Sequence, residues 1–267
     1  MKLLYQLCVF SILALALLVV SCSSGTQRTL QTGNVIGLNI PDSEKKVISV
    51  MKFEDRSIGT EMYRPWRMGI PDMVMESLGA IPYYKVISRE YMTKQVLQEQ
   101  EFQLLGATDP GSAVKLGKLL NAQYIVVGSY QVFKDTLQIN AKVMSVQTGE
   151  IVLQSSSRGT LDAFYNLQNE IAIKITDGMK LAISPEAKEK LRQKYDTKVV
   201  KASLANYSGE EKVEKIAVLE KKGKKEEVKK VKEEAREDFK KALQLDSDYE
   251  KARKNLSRLA LGVPMTL

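Results

Sequence analysis

The first 22 residues constrain this chain more than any other segment. Lys2 is followed by an apolar run from Leu7 to Val20, broken only by Ser11, and then by Ser21-Cys22. A positive start, a short apolar stretch and a small residue before a cysteine are what export and cleavage require, and the stretch is too short to exit as a stable membrane-spanning helix. The pattern is that of a bacterial lipoprotein signal: residues 1–21 are expected to be removed, and Cys22 to become the lipidated first residue. Two or three acyl chains on Cys22 would hold the protein in outer-membrane lipid while its body stays in water. Ser23 follows, not the aspartate that commonly retains lipoproteins at the inner membrane, so the expected location is the outer membrane, facing the periplasm. An ordinary secretory signal with a chance cysteine, or an N-terminal transmembrane anchor, is the plainer alternative.

That leader decides what the remaining chain can do chemically. Cys8 leaves with it and Cys22 is occupied by lipid, so the body has no disulfide, no thiol nucleophile and no thiolate metal site. The chain also contains no histidine. The commonest general base and the commonest zinc ligands are therefore missing, and the expectation is a protein with no catalytic residue, no cofactor and no metal, hence not an enzyme. The carboxylates that an enzyme reading would use, such as Asp72 and Glu76, stand four apart on one helix face, where solvent exposure is the expected explanation.

Charge is uneven along the chain. Residues 22–184 carry 17 basic and 16 acidic side chains, whereas 185–267 carry 22 and 16. The densest part, Lys221 to Lys230, could suggest nucleic acid or an anionic membrane. An exported lipoprotein rarely meets nucleic acid, and Glu226 lies four residues before Lys230, so a solvated helical face is expected there and no nucleic-acid partner.

Patterning divides the chain into the signal at 1–21, a polar tether at 22–44, an α+β domain at 45–184 and a charged helical tail at 185–267. Val47 to Phe53 is a short β-branched run and reads as a buried strand. Met68, Ile70, Met73, Val74 and Leu78 recur at near-helical spacing from Trp66, and the methionines read as core filler, not as a soft-metal site. Tyr84 to Ile87 reads as a second strand. Ser88 is placed to cap a helix running to about Leu105, with Tyr91, Val96, Leu97 and Phe102 as candidate buried positions. Asp109-Pro110 opens the next helix, which carries on to Leu120. Tyr124 to Gly128 is a strongly apolar strand, and Leu137, Ile139, Ala141 and Val143 alternate with polar residues as a half-buried one. Thr148-Gly149 turns into Ile151 to Leu153. A helix from about Asp162 to Ile183 completes the order βαβααβββα, a mixed sheet with helices packed against it.

Glu99 to Glu101, Gly106, Leu116 to Ala122, Tyr124 to Ser129 and Thr148 to Val152, taken with the cysteine signal, resemble the CsgG family of curli assembly and transport lipoproteins over roughly residues 45–184. Within that stretch Gly117 is expected to let a helix approach the sheet, and Gly128 to relieve crowding in a strand or mark a bulge. A phosphate-loop reading fails, because Gly111 and Gly117-Lys118 are one residue too far apart and Leu119 sits where a hydroxyl is needed. The resemblance implies a multi-subunit outer-membrane barrel built from extra strands of roughly 9 to 11 residues. The connections at Lys134 to Thr136 and at Thr148-Gly149 leave no room for such hairpins. The tail, in turn, resembles a tetratricopeptide repeat: Ala235, Phe239 and Ala242 match its second-helix spacing, Gly223 its early glycine, and Leu245 to Ala252, including Tyr249, its boundary with a following repeat. Ser247 replaces the usual proline and Glu226 the usual aromatic, so a charged helical hairpin or coiled coil stands as the equal alternative.

The sequence therefore points to a lipid-anchored, non-enzymatic envelope scaffold that acts through protein–protein contacts, with other envelope proteins or with copies of itself. Ala235, Phe239, Ala242 and Tyr249 are its candidate protein-binding residues. The alternative is a subunit of an oligomeric curli-type secretion channel.

Overall fold

A computed structural model describes residues 38–262 apart from 60, 106 and 194–196. Cys22 and Gly106 lie outside the described residues. Six strands form one mixed sheet: β1 (Lys46–Val50), β2 (Glu54–Asp55), β3 (Tyr84–Val86), β4 (Tyr124–Phe133), β5 (Thr136–Ser145) and β6 (Ile151–Thr160). Their order is β3-β1-β4-β5-β6, with β2 pairing β4 beyond the end of β1. β1 runs parallel to β3 and β4, and β4, β5 and β6 form an antiparallel meander. The α+β class and the mixed sheet expected from the sequence are what the molecule has.

Helices cover both faces of the sheet. α1 (Trp66–Gly79) carries the chain from β1 to β3 over one face, while α2 (Arg89–Gln98) and α3 (Pro110–Leu119) carry it from β3 to β4 over the other. α4 (Phe164–Gly178) and α5 (Pro185–Arg192) pack beside α1. The strand alternation feeds both layers. Val126, Leu137, Ile139, Ala141 and Val143 enter the core under α1 and α4, and Ile125, Val127 and Met144 enter the core under α2 and α3. Met68, Met73, Val74 and Leu78 are buried in the first of these, as core filler.

Local chemistry sets the helix starts. Ser88 and Asp109 accept hydrogen bonds from the backbone N–H of Tyr91 and Ser112, 3.2 and 2.9 Å away, as N-caps do. Gly117 approaches Val146 so closely that a Cβ would stand 2.4 Å from its side chain, and at Gly128 one would stand 2.5 Å from the Phe53 ring. Gly128 thus relieves crowding inside the regular β4–β5 ladder, paired with Ala141, while a register shift falls in the β5–β6 ladder at Val143/Met144.

Several boundaries differ from the sequence reading. The helix expected to run to Leu105 stops at Gln98; Gln100 follows with φ of +57°, and Phe102–Leu105 forms a separate 3-10 turn. The helix expected at 162–183 is shorter: Leu161–Ala163 is a 3-10 turn, α4 ends at Gly178, and Lys180 takes φ of +59° before Ser184 caps α5 beyond the expected span. β4, β5 and β6 each run ten residues. The outer halves of β4 and β6 were not legible as strands, because Gln131, Ser156 and Arg158 are exposed on an open sheet face.

The C-terminal part is all helical: α6 (Val200–Lys221), α7 (Lys225–Leu245) and α8 (Glu250–Leu261). Gly223, at φ of +71°, makes the turn between two helices of 22 and 21 residues. A repeat register would put that glycine inside a first helix, so the arrangement is the long helical hairpin that the sequence left open, with α8 folded against it.

Candidate functional site

β1 and β3 are neighbours whose outgoing chains leave toward opposite faces of the sheet. Such a divergence opens a crevice at the carboxyl ends of the strands, the place where open α/β sheets bind ligands. Lys52 lies just beyond β1 and Arg89 just beyond β3. Both are buried. The crevice is filled by α6. This helix contributes Leu204 and Tyr207 to the core under α1 and rests Val218 against the core under α2 and α3, so it crosses from one layer to the other.

Close approach is possible because α1 presents a glycine. A Cβ on Gly69 would stand 2.4 Å from the Tyr207 ring, so the ring lies directly on the α1 backbone. One helical turn at a time from Gly69, the same face of α1 carries Asp72 and Glu76. Facing them, α6 carries Asn206, Glu210 and Glu214.

Asp72 is 2% exposed, not solvated as the sequence spacing suggested, because Arg89 donates to its Oδ1 from Nε at 3.0 Å and from Nη2 at 2.9 Å. Lys52 pairs with Glu214. From α8, Lys251 reaches Glu76 at 2.8 Å and Glu210 at 3.9 Å, donates to the Tyr207 hydroxyl at 3.4 Å, and stands 5.0 Å from the centre of the Tyr207 ring. Glu210 accepts from the side-chain amides of Asn206 and Asn255, each at 2.8 Å. Burial pushes the Glu210 carboxyl up to about 7, with Asp72 adding to the rise, and the attraction of Lys251 and the two amide hydrogen bonds opposing it. Burial likewise pushes the Tyr207 hydroxyl upward. Losing one partner of such a buried pair costs about 3–5 kcal/mol, because the other is left as an uncompensated charge. The arrangement therefore clamps a helix into a crevice.

The candidate protein-binding residues of the tail lie inside it. Ala235, Phe239 and Ala242 are fully buried and Tyr249 is 1% exposed. Phe239 packs on Gly209 of α6, where a Cβ would stand 2.5 Å from its ring, and Tyr249 joins Ala202, Ala205, Ala242 and Ala252. In this structure the four hold α6, α7 and α8 together. The lysine-rich run is a solvated turn and helix face, with an ion pair between Lys224 and Glu227 at 2.7 Å. What the sequence reading missed is α6, whose residues 206–214 carry no motif and gain meaning only from what they face.

A second concavity, a cleft of about 450 Å³, is lined by Glu54, Asp55, Glu61, Arg64 and Arg67. Among the described residues, no group of three or more His, Cys, Asp or Glu is placed to hold a metal ion, and no helix is long and apolar enough to cross a membrane.

No curated protein sequence matches the chain. Solved structures similar to it include the C-terminal domain of LpoB from Salmonella enterica, 18% identical with a TM-score of 0.29, over 44% of this chain and 84% of that one. Lipoprotein GNA1162 from Neisseria meningitidis is 12% identical with a TM-score of 0.35, over 51% of this chain and 98% of that one. The PelC dodecamer from Paraburkholderia phytofirmans is 10% identical with a TM-score of 0.31, over 58% of this chain and 94% of that one. Residues 35–135, which hold β1 to β4 and α1 to α3, match the family model of the curli production assembly/transport component CsgG.

Proposed function

We propose that the protein is a lipid-anchored, non-enzymatic envelope lipoprotein of the CsgG family that acts as an assembly scaffold through protein–protein contacts on the periplasmic side of the outer membrane. The observation that carries this reading is the occupied crevice. The charged groups of the core that could have met a small molecule at the carboxyl ends of β1 and β3 are spent within the chain: Lys52 on Glu214 of α6, Glu76 on Lys251 of α8, and Arg89 on Asp72 of α1. What the molecule offers outward is surface: the solvated faces of α7 and α8 and the polar face of β4, β5 and β6. The absence of histidine from the chain and the family match support the same reading.

Anchoring is tested by Cys22→Ser, which is expected to move the protein out of the outer-membrane fraction and to abolish lipid labelling. Retention of label and membrane by that variant would overturn the anchor. The scaffold reading is tested by the native mass of the lipidated protein in mild detergent, expected to be that of a monomer or a small oligomer. A detergent-stable ring of many subunits would replace it with the secretion-channel reading. Against that channel stands the β4–β5 hairpin, which closes on Lys134 and Asp135 and buries Leu137, Ile139, Ala141 and Val143 in the core.

A further inference from the structure

Glu210 is the odd charge at the junction of core and tail. From α1 it faces Asp72 and Glu76, with Arg89 of α2 behind Asp72; from α8 it faces Lys251 and Asn255. Its own helix adds Asn206, Tyr207 and Glu214, and Lys52, beyond β1, lies on Glu214. The carboxylates in this set are Asp72, Glu76, Glu210 and Glu214, and the cations are Lys52, Arg89 and Lys251, so one negative charge is in excess. All seven side chains are between 2% and 20% exposed. Arg89 is committed to Asp72 and Lys52 to Glu214. Lys251 must serve two carboxylates, and it stands closer to Glu76 than to Glu210.

A buried carboxylate without its own cation is relieved most easily by taking a proton. Protonation gives up the 3.9 Å attraction of Lys251 but keeps both amide hydrogen bonds, because Oε1 still accepts from Asn206 and Asn255 while the other oxygen carries the hydrogen. We propose that α6, α7 and α8 are held on the core by a proton-dependent latch centred on Glu210, closed when that side chain is neutral and loosened when it ionises. The sign follows from burial. A carboxyl raised from 4.5 to about 7 in the folded state stabilises the closed junction fully below 4.5, and that contribution is lost as pH rises through 7. The latch is independent of what the scaffold binds.

The test is hydrogen exchange of the full chain at pH 6.0 and pH 8.5, corrected for the intrinsic pH dependence of amide exchange. Protection of α6 and α8 is expected to fall about tenfold or more at the higher pH, while β4 and β5 keep theirs. Glu210→Gln, neutral at every pH, is expected to keep α6 and α8 protected at pH 8.5. Equal wild-type protection at the two pH values would overturn the latch, as would a Glu210→Gln variant that loosens as the wild type does. Should that variant fail to fold, the wild-type profile decides alone: a transition near pH 7 confined to α6 and α8 supports the latch, and its absence overturns it.

Discussion

Gly69 and Tyr207 meet closely between core and tail, and a methyl group there has nowhere to go. Gly69→Ala is expected to destabilise the protein by about 1–3 kcal/mol through overpacking, seen as a lower urea midpoint. An unchanged midpoint would mean that the ring does not rest on the α1 backbone. Asp72 and Arg89 make a different kind of contact. Arg89→Met is expected to cost about 3–5 kcal/mol, and Asp72→Leu combined with Arg89→Met distinctly less, because the double variant leaves no buried charge. A double variant as unstable as the single one would show that shape, not charge, holds the site. Asp72 also shows where reading the sequence stops. It stands four residues before Glu76, a spacing that describes an exposed face equally well, and its partner is 17 residues on, after a strand and a turn.

At the scale of elements, β6 is a ten-residue edge strand without proline or lysine of its own. Counting the ladder from the two-residue hairpin at Lys134 and Asp135 points the Ser156 carbonyl away from β5, and Lys174 of α4 donates to it at 2.7 Å. An exposed edge invites pairing with another chain, and a lysine laid across it is one way to prevent that. Lys174→Ala is expected to increase self-association in light scattering without lowering the melting temperature; unchanged scattering would remove Lys174 from that role. The turn between α6 and α7 rests on Gly223, whose left-handed backbone a side chain resists, so Gly223→Ala is expected to cost about 1 kcal/mol in thermal unfolding even though open space surrounds it. Element identity was legible wherever apolar residues kept one period, as at Leu137 to Val143. It was not legible at β2, whose two residues are Glu54 and Asp55, nor in the outer halves of β4 and β6, where polar side chains line an open sheet face.

The whole molecule is a stack in which rings lie on glycines: Tyr207 of α6 on Gly69 of α1, and Phe239 of α7 on Gly209 of α6. Its stability should carry the signature of the junction. Between pH 5 and pH 8.5 the free energy of unfolding is expected to fall by on the order of 3 kcal/mol, the amount a shift of this size implies, and to stay flat over that window in Glu210→Gln. A wild-type stability that rises across the same window would contradict the environment described for Glu210. Composition and periodicity by themselves determined the order of the longer strands and helices in the core, the lack of any imidazole, and the helical nature of the tail. Each of these follows from residue types and from spacings within a few positions. Tertiary structure alone decided that the tail fills the crevice of the core. That outcome depends on Lys52 meeting Glu214 and on Lys251 meeting Glu76, across 162 and 175 residues, and a charge has no local period that says which distant charge will neutralise it.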